Sequence, residues 1–258
     1  MSLPPLIGVN LYCFRDHCQT LEGLGATLAR LAAIGYPSVQ VSGLPASITP
    51  AQVRAALDRH GLVACAAHDN LEALTQRPHE VVAKLRTLGC RFTALGYPGH
   101  ENLAHDHVEV LRDQLVTAAR VLASEGLQLG YHNHAEEFQA FRGTSIYAWL
   151  FDTTPADLLW AEPDVAWLQA GGGSPVAWIR RLAGRIPAIH LKDYTWEGGQ
   201  PRFCELGHGN LDLPGIVAAL HETQVPIWIV EQDDPVPERD IFASAALSLE
   251  FLHQRSSQ

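Results

Sequence analysis

The chain of 258 residues lacks any apolar run near the ~18 residues that a membrane-spanning helix needs. It opens on Met-Ser-Leu-Pro-Pro, with neither a basic segment nor a long apolar core, so no secretion signal is expected. No G-x-G-x-x-G motif follows the first apolar run, which removes the strongest signature of a dinucleotide-binding fold. Low-complexity tracts and linkers are also missing. These absences predict a globular protein with one domain, residues 1–258.

Cysteine and positive charge are both scarce. The chain has 18 Lys and Arg against 28 Asp and Glu, and the net charge of −10 disfavours nucleic acid as a partner. Small neutral or keto substrates are unaffected by that charge. No membrane partner is expected, and a homo-oligomer is left open. The cysteines are odd in number and scattered, so they are predicted to be reduced thiols of a cytoplasmic protein. They are Cys13, Cys18, Cys65, Cys90 and Cys204.

The chain repeats one unit: a short β-rich run, polar residues, an amphipathic stretch and a glycine. The predicted strands are residues 6–11, 39–41, 62–67, 91–95, 127–131, 158–161, 186–191 and 227–230. The predicted helices are residues 21–33, 51–59, 80–88 and 108–124, with a weaker helical pattern between 138 and 158. Glycines that permit a left-handed cap stand at the expected helix ends, at Gly35, Gly61, Gly89, Gly126 and Gly184. Eight such units predict an α/β fold, a closed (β/α)8 TIM barrel rather than a doubly wound sheet.

Polar clusters follow four of the predicted strands. They are His132-Asn133-His134-Ala135-Glu136-Glu137, Glu162-Pro163-Asp164, His190-Leu191-Lys192-Asp193 and Glu231-Gln232-Asp233-Asp234. Because the carboxyl ends of parallel strands meet at one edge of a barrel, these clusters are expected to converge there. Carboxylates and a histidine gathered at such an edge indicate a divalent-metal site.

Several of these residues also have a purely structural explanation. Asp164 suits a helix N-cap, since the residues after it look like the start of a helix. The acids that begin at Glu231 repel one another and favour a cation, although a solvated loop would also carry them. Strand alternation points His190 into the barrel, where a histidine is commonly a hydrogen-bonded core residue. Lys192 shares that face and needs a carboxylate partner or a role of its own.

The oxygen-rich donor set with one imidazole suits Mn²⁺, Co²⁺, Mg²⁺ or a catalytic Zn²⁺ more than a structural zinc. Such an ion could chelate a vicinal hydroxy-ketone and acidify the C–H bond beside the carbonyl. A carboxylate or lysine on either side would then move the proton. This chemistry covers aldose–ketose isomerisation, epimerisation beside a ketone, and β-elimination of water.

Nearly the whole chain resembles the xylose isomerase-like TIM barrels, known broadly as sugar phosphate isomerases/epimerases. The order and spacing of several motifs carry the resemblance. They include Gly8-Val9-Asn10-Leu11-Tyr12, Ala66-Ala67-His68, Tyr131-His132-Asn133-His134 with Glu137-Phe138, Asp164-Val165-Ala166-Trp167, His190-Leu191-Lys192-Asp193, Gly207-His208-Gly209-Asn210-Leu211-Asp212 and Ile229-Val230-Glu231-Gln232-Asp233.

The resemblance implies a set of site residues. The implied metal ligands are Glu137, Asp164, His190 and Glu231. The implied catalytic residues are Glu231, Glu137, Lys192 and His132, and the implied substrate contacts are His68 and Tyr12. Arg202 is added as a substrate contact because arginine suits carboxylate or phosphate groups. The chain departs from the family at Gln40, where the second strand often ends in Glu, and it shows no phosphate-cradling loop.

The leading prediction is a divalent-metal-dependent isomerase or epimerase that moves a proton next to the carbonyl of a ketose or keto-polyol. The alternative is a metal-dependent dehydratase of a keto-inositol or dehydroshikimate-like acid, which differs in that a β-hydroxyl leaves. A metal-dependent abasic-site endonuclease is disfavoured by the net charge of −10. A non-catalytic sugar-binding barrel would tolerate the absence of a metal.

Overall fold

Strands and helices alternate along the computed structural model, which describes residues 4–234 and 239–255. The strands are β1 (Leu6–Asn10), β2 (Ser38–Val41), β3 (Val63–Asp69), β4 (Phe92–Leu95), β5 (Gln128–His132), β6 (Ala140–Phe141), β7 (Thr144–Ser145), β8 (Leu159–Glu162), β9 (Ile189–Leu191), β10 (Asp193–Glu197), β11 (Gln200–Cys204) and β12 (Ile227–Val230). Residues 1–3, which belong to the segment expected to carry no secretion signal, lie outside the described residues.

The helices lie between the strands and cover the outside of the sheet. They are α1 (Leu21–Ile34), α2 (Pro50–His60), α3 (Leu71–Gln76), α4 (Pro78–Leu88), α5 (Val108–Ser124), α6 (Ile146–Thr153), α7 (Val165–Ala170), α8 (Pro175–Arg181), α9 (Leu213–Thr223) and α10 (Ile241–Arg255). Short 3₁₀ turns occupy Leu11–His17, His100–Leu103 and Glu136–Phe138. Among the described helices, none has the length and apolar character that crossing a membrane requires.

Eight parallel strands form the barrel, in the order β8-β5-β4-β3-β2-β1-β12-β9. The gap between β8 and β9 is closed by backbone contacts between β9 and the residues just past β8. The His190 N–H donates to the Pro163 carbonyl at 2.9 Å, and Asp164 bridges His190 in parallel register. The predicted (β/α)8 barrel is therefore confirmed. The antiparallel hairpins β6–β7 and β10–β11 are additions that the repeated unit did not predict.

Glycines end several helices as predicted. Gly35, Gly61 and Gly89 are left-handed C-caps with φ of 112°, 68° and 71°. Gly184 does not cap a helix, because α8 already ends at Arg181 with Leu182 as its C-cap.

Apolar side chains fill the space between the helices and the barrel, and a smaller cluster plugs the barrel interior. The interior cluster includes Phe92, Ala188 and Ile229. Gly130 makes room for it, since a Cβ there would lie 2.5 Å from the Phe92 ring. The members of this cluster precede the polar residues in their strands, so the apolar plug lies beneath a polar layer at the carboxyl ends.

Candidate active site

Functional side chains converge where the barrel strands end. Two overlapping groups each bring their candidate ligand atoms within 4.8 Å of one another. They are His132, Asp164, His190 and Glu231, and His68, His132, Glu162 and His190. The sequence placed Asp164, His190 and Glu231 at one edge of the sheet, and the structure brings these three together.

The ammonium of Lys192 lies at the centre of the carboxylates, and only 1% of this side chain is exposed. Its Nζ is 3.0 Å from Asp164 Oδ2, 2.7 Å from Glu231 Oε2 and 2.9 Å from Asp233 Oδ2. Burial alone would lower the pKa of Lys192, but these three carboxylates raise it well above its usual value. Lys192 is therefore a charged residue with partners, and it is buried beneath the cavity.

Asp164 uses its two oxygens for different purposes. Oδ1 accepts a hydrogen bond from the Trp167 N–H at 2.9 Å, which makes Asp164 the N-cap of α7. Oδ2 faces the Lys192 ammonium. The N-cap that the sequence suggested is thus present, and it leaves the second oxygen available for a cation.

His190 and Glu231 form a buried ion pair. His190 Nδ1 is 2.8 Å from Glu231 Oε2, and Asn10 donates from Nδ2 to Glu231 Oε1 at 2.5 Å. Burial alone would lower the pKa of His190, but Glu231 and Glu162 raise it to about 9. Burial alone would raise the pKa of Glu231, yet Lys192 and His190 hold it well below its usual value. Glu231 is therefore an ionised carboxylate in a buried site rather than a solvated loop acid.

Glu162, the last residue of β8, is a site residue that the sequence reasoning missed. It is fully buried, and its Oε2 lies 2.5 Å from His68 Nε2. Gln40 donates from Nε2 to Glu162 Oε1 at 2.7 Å, and Gln40 Oε1 lies 2.6 Å from His190 Nε2. A signal was present: Glu162 and Asp164 are two residues apart, so an extended chain points both to the same face.

His132 has a ring nitrogen, Nδ1, that none of the described residues engages in a hydrogen bond. Its Nδ1 is buried without a hydrogen-bond partner among the described residues, and the nearest carboxylate oxygen, Glu162 Oε2, is 3.7 Å away. Burial and the neighbouring His190 lower the pKa of His132 well below its usual value. Burial and Lys192 lower the pKa of His134 to about 4. Both imidazoles are therefore neutral at physiological pH, the form in which histidine binds a metal.

Glu137 is not brought into either group of candidate ligands. The 3₁₀ turn Glu136–Phe138 directs its carboxylate back toward the barrel wall. There Tyr131 donates from its hydroxyl to Oε1 at 2.9 Å, and the His134 N–H donates to Oε2 at 2.8 Å. Burial raises the pKa of Glu137 to about 7. In this arrangement Glu137 supports the loop that carries His134.

A cavity of about 660 Å³ opens above the polar layer. Its wall combines imidazoles with aromatic rings, from His68, His132, His134, Tyr97, Trp167 and Phe203. Of the predicted substrate contacts, Tyr12 and His68 line this cavity. Arg202 does not, because alternation along β11 turns Phe203 to the cavity and leaves the Arg202 guanidinium paired with Glu197 across the hairpin.

The donor set fits a divalent ion. Asp164, Glu231 and Glu162 supply carboxylate oxygens, and His132 supplies an imidazole nitrogen. His190 supplies a second nitrogen once it gives up the proton that Glu231 and Glu162 stabilise. Carboxylate and imidazole donors in this proportion suit Mn²⁺, Co²⁺, Mg²⁺ or a catalytic Zn²⁺. The orphaned Nδ1 of His132 is the observation that supports this fit most directly, since a buried polar atom without a partner is costly.

The chain belongs to the xylose isomerase-like TIM barrel family, whose model matches residues 28–252. One relative is the inosose dehydratase of Geobacillus kaustophilus (strain HTA426), 25% identical over 265 aligned positions that cover 85% of this chain and 83% of that protein. A sugar phosphate isomerase/epimerase from Parabacteroides distasonis ATCC 8503 superposes with a TM-score of 0.81 at 21% identity, covering 97% of this chain and 94% of that one. An L-ribulose 3-epimerase superposes with a TM-score of 0.74 at 18% identity, over 97% and 94% of the two chains. The structural likenesses show the shared fold.

Proposed function

We propose that this protein is a divalent-metal-dependent isomerase or epimerase that moves a proton next to the carbonyl of a ketose or keto-polyol. The observation that carries the proposal is the buried cluster of Asp164, His190 and Glu231 beneath an open cavity. Membership of the family and the enzymes among its relatives support an enzymatic role. Because the sequence relatives include a dehydratase, family membership alone does not distinguish epimerisation from dehydration, and the choice is argued from the geometry of the site.

Asp164, His190 and Glu231 would hold the ion. His132 would be the fourth ligand, in place of Glu137, which the resemblance implied. Mn²⁺, Co²⁺, Zn²⁺ or Mg²⁺ bound there would supply a Lewis acid for negative charge that develops on substrate oxygens. Gln40 and Asn10 would orient His190 and Glu231 through the hydrogen bonds described above. Such supporting contacts are typical of metal sites and tune the ligands they touch.

Glu231 is the residue that we assign to removal of the substrate proton. It lines the cavity and is ionised, and contacts with Asn10, His190 and Lys192 fix its orientation. A fixed carboxylate beside the substrate can act as a general base. Lys192 keeps this carboxylate charged and does not itself need to reach the substrate.

His68 is the second group that we assign to proton transfer. Its side chain faces the cavity with 15% exposure, and the buried Glu162 lies behind it. A carboxylate that holds one ring nitrogen fixes the tautomer and leaves the other nitrogen free for a proton. His68 comes from β3 and Glu231 follows β12, and two strands, β2 and β1, separate them in the barrel. The two groups would therefore approach a substrate from different directions, as an epimerase requires.

The test is exchange of substrate protons with solvent. The Mn²⁺-loaded protein is incubated in D₂O with a panel of ketoses and keto-inositols, and deuterium in the recovered sugar is measured by mass spectrometry. Exchange detects proton removal even where no net conversion occurs. We expect one deuterium at a carbon next to the carbonyl for at least one sugar, and loss of exchange in Glu231→Gln. Absence of exchange across the panel with fully loaded protein would contradict the proposal.

A dehydratase is the second candidate. The observation that favours it is the same His68–Glu162 pair, because an imidazole held by a carboxylate can donate a proton to a departing hydroxyl. The inosose dehydratase among the relatives supports it further. The exchange experiment separates the two, since a dehydratase yields a product lighter by one water, while the product of an epimerase loses no atoms and differs from the substrate only by the deuterium that it gains.

We further propose a cytoplasmic protein with one domain and a small-molecule substrate. All five cysteines are free, and four of them are buried, which suits a reducing compartment. The net charge of −10 disfavours nucleic acid as a partner, because the phosphate backbone is itself negative.

A further inference from the structure

The wall of the cavity carries an excess of negative charge. Glu136, Glu231, Asp233 and Asp234 line it, and Glu162 and Asp164 lie directly beneath. Even with Lys192, Arg15 and a divalent ion among these groups, the six carboxylates outnumber the four positive charges. An anionic group on a substrate would be repelled here, and the repulsion is strong because part of the site is shielded from water.

Arg15 is the one Lys or Arg that lines the cavity within the described residues, and it is already engaged. Its guanidinium donates to the carbonyl oxygens of Tyr12 at 3.1 Å and Asp233 at 2.7 Å, and it lies 3.4 Å from Asp234 Oδ1. It also stacks on the Tyr12 ring at 4.4 Å. The sequence of residues 235–238, Pro-Val-Pro-Glu, contributes no further Lys or Arg.

Backbone amides that could have cradled a phosphate hold a carboxylate of the protein instead. The loop around Gly207-His208-Gly209 has the composition of a small anion nest. Its N–H groups at Gly207, Gly209 and Leu211 donate to the buried Asp193 at 3.0, 3.0 and 3.3 Å. These three N–H groups therefore already have the Asp193 carboxylate as their acceptor and do not bind a phosphate.

The rest of the wall suits an uncharged sugar. Trp167 and Phe203 offer aromatic faces on which the C–H groups of a sugar ring can pack. Trp167 Nε1 and His134 Nδ1 are buried without a hydrogen-bond partner among the described residues, and each can serve a hydroxyl. Convergent polar atoms on an apolar wall are typical of sites for neutral small molecules.

We infer that the substrate is an uncharged, unphosphorylated sugar or cyclic polyol, in contrast to the sugar phosphates after which structural relatives are named. This inference rests on the proposed function, because it concerns the substrate of the same site. It adds that charge on the cavity wall, and not cavity size, excludes the phosphate esters.

The test compares matched pairs of ligands on the Mn²⁺-loaded protein. D-fructose and L-ribulose, each against its terminal phosphate ester, are titrated calorimetrically at low and high ionic strength together with a keto-inositol. We expect at least one uncharged ligand to bind, and its ester to bind at least about tenfold more weakly, as expected for like charges in a partly shielded site. Added salt should narrow that difference, because it screens the repulsion.

A charge variant sharpens the result. Asp234→Lys replaces a carboxylate at the rim of the cavity by a cation and should improve binding of the esters relative to that of the uncharged sugars. Asp106→Lys makes the same change in charge at an exposed position away from the cavity and should alter neither. Equal or tighter binding of an ester to the unmodified protein, or no binding by any uncharged ligand, would overturn the inference. Turnover of an ester would overturn the inference about the substrate but would agree with the proposed function. Binding of uncharged ligands without proton exchange would contradict the proposed function but would agree with the inference that the ligand is uncharged.

Discussion

Lys192 is the buried charge on which the arrangement of the candidate site depends. Three carboxylates, of Asp164, Glu231 and Asp233, lie within 3.0 Å of its Nζ. Taking several carboxylates out of water is costly unless a cation compensates them. Lys192 supplies that compensation in the protein alone, and a bound divalent ion would supply more of it. Lys192 therefore helps to keep Glu231 ionised before any ligand arrives, whereas burial raises the pKa of Asp164 and raises that of Asp233 to about 6.

Replacing Lys192 by methionine tests this balance. Lys192→Met preserves the length of the side chain but removes the cation, and losing one partner of a buried pair typically costs ~3–5 kcal/mol of stability. Mn²⁺ should recover part of the loss, because the unpaired carboxylates then bind the ion. Denaturant unfolding with and without Mn²⁺ measures both effects. Lys84→Met is the matched control, since Lys84 pairs with one acid, Asp69, in a more exposed position. A loss no larger than in that control, or no recovery with Mn²⁺, would contradict the role given to Lys192.

Glu231→Gln keeps the shape of the side chain but removes its charge and its ability to accept the substrate proton. Loss of a general base typically slows turnover by ~10²–10⁴-fold, and weaker metal binding would add to this. Turnover at saturating Mn²⁺ and metal content are measured together, once the exchange experiment has identified a substrate. Glu222→Gln, an exposed residue paired with Arg180 outside the site, is the control and should be unaffected. Near-normal turnover with full metal occupancy would rule out Glu231 as both base and essential ligand.

At this scale the sequence predicted the positions of Asp164, His190 and Glu231, because each stands close to the end of an apolar strand. His190 lies inside β9, Asp164 stands two residues past β8, and Glu231 comes directly after β12. Glu162 was missed, since it stands inside the same polar exit as Asp164 and only the alternation of the strand shows that both point inward. The direction of Glu137 was not predictable, because it depends on a 3₁₀ turn without a strong sequence signal.

At the scale of elements, Asp193 joins the β10–β11 hairpin to the loop that follows it. Its carboxylate accepts hydrogen bonds from the N–H groups of Tyr194, Gly207, Gly209 and Leu211. The hairpin turns at Gly198 and Gly199, both with positive φ. A Gly-Gly pair between β-rich residues is a hairpin signal that the repeated βα unit obscured. Because Phe203 on β11 lines the cavity, this contact also fixes one wall of the site.

Removing the Asp193 carboxylate should loosen that loop. Asp193→Ala leaves four backbone N–H groups without their acceptor, so amide hydrogen exchange at Gly207, Gly209 and Leu211 should accelerate strongly. Asp212→Ala is the matched change in the same segment, where the side chain caps α9 by accepting from the Gly215 N–H at 3.0 Å. It should accelerate exchange at the start of α9 only. Unchanged protection of the loop in Asp193→Ala would contradict the anchoring role.

Gly61, which ends a helix, and Gly25, which lies inside one, lead to predictions of opposite sign for stability. Gly61 caps α2 at φ 68° with open space around its Cα, so Gly61→Ala should cost ~1–2 kcal/mol through conformation alone. Gly25 lies inside α1, also with open space, so Gly25→Ala should stabilise by ~0.5–1 kcal/mol. Thermal or denaturant unfolding of both variants measures the difference. Equal effects would show that the conformation of the cap is not what Gly61 supplies.

At the scale of the whole molecule, the barrel explains why residues far apart in the sequence meet. His68 and Glu162 are separated by 94 positions and Asn10 and Glu231 by 221, yet each pair is in hydrogen-bond contact. The sequence pattern predicted the eight strands and their common edge, since an apolar run recurs in every unit and glycines end several of the helices. It did not predict which side chains pair across the barrel, because that depends on strand tilt and register, which no local pattern records.

Metal binding should stabilise the whole barrel, since the candidate ligands come from β5, the end of β8, β9 and the end of β12. An ion that binds only the folded state at ~100 times its Kd adds ~2.7 kcal/mol to the free energy of unfolding. For a chain of this size that corresponds to a rise in Tm of roughly 5–10 °C. Excess chelator should therefore lower the Tm, and Mn²⁺, Co²⁺ or Zn²⁺ should restore it.

His190→Ala is the control, because it removes a ligand shared by both candidate groups, so added metal should move its Tm little. A tightly held ion resists chelators, so metal content is measured alongside the melting curve. A wild-type protein that is free of metal and whose Tm does not respond to Mn²⁺, Co²⁺ or Zn²⁺ would contradict the metal site.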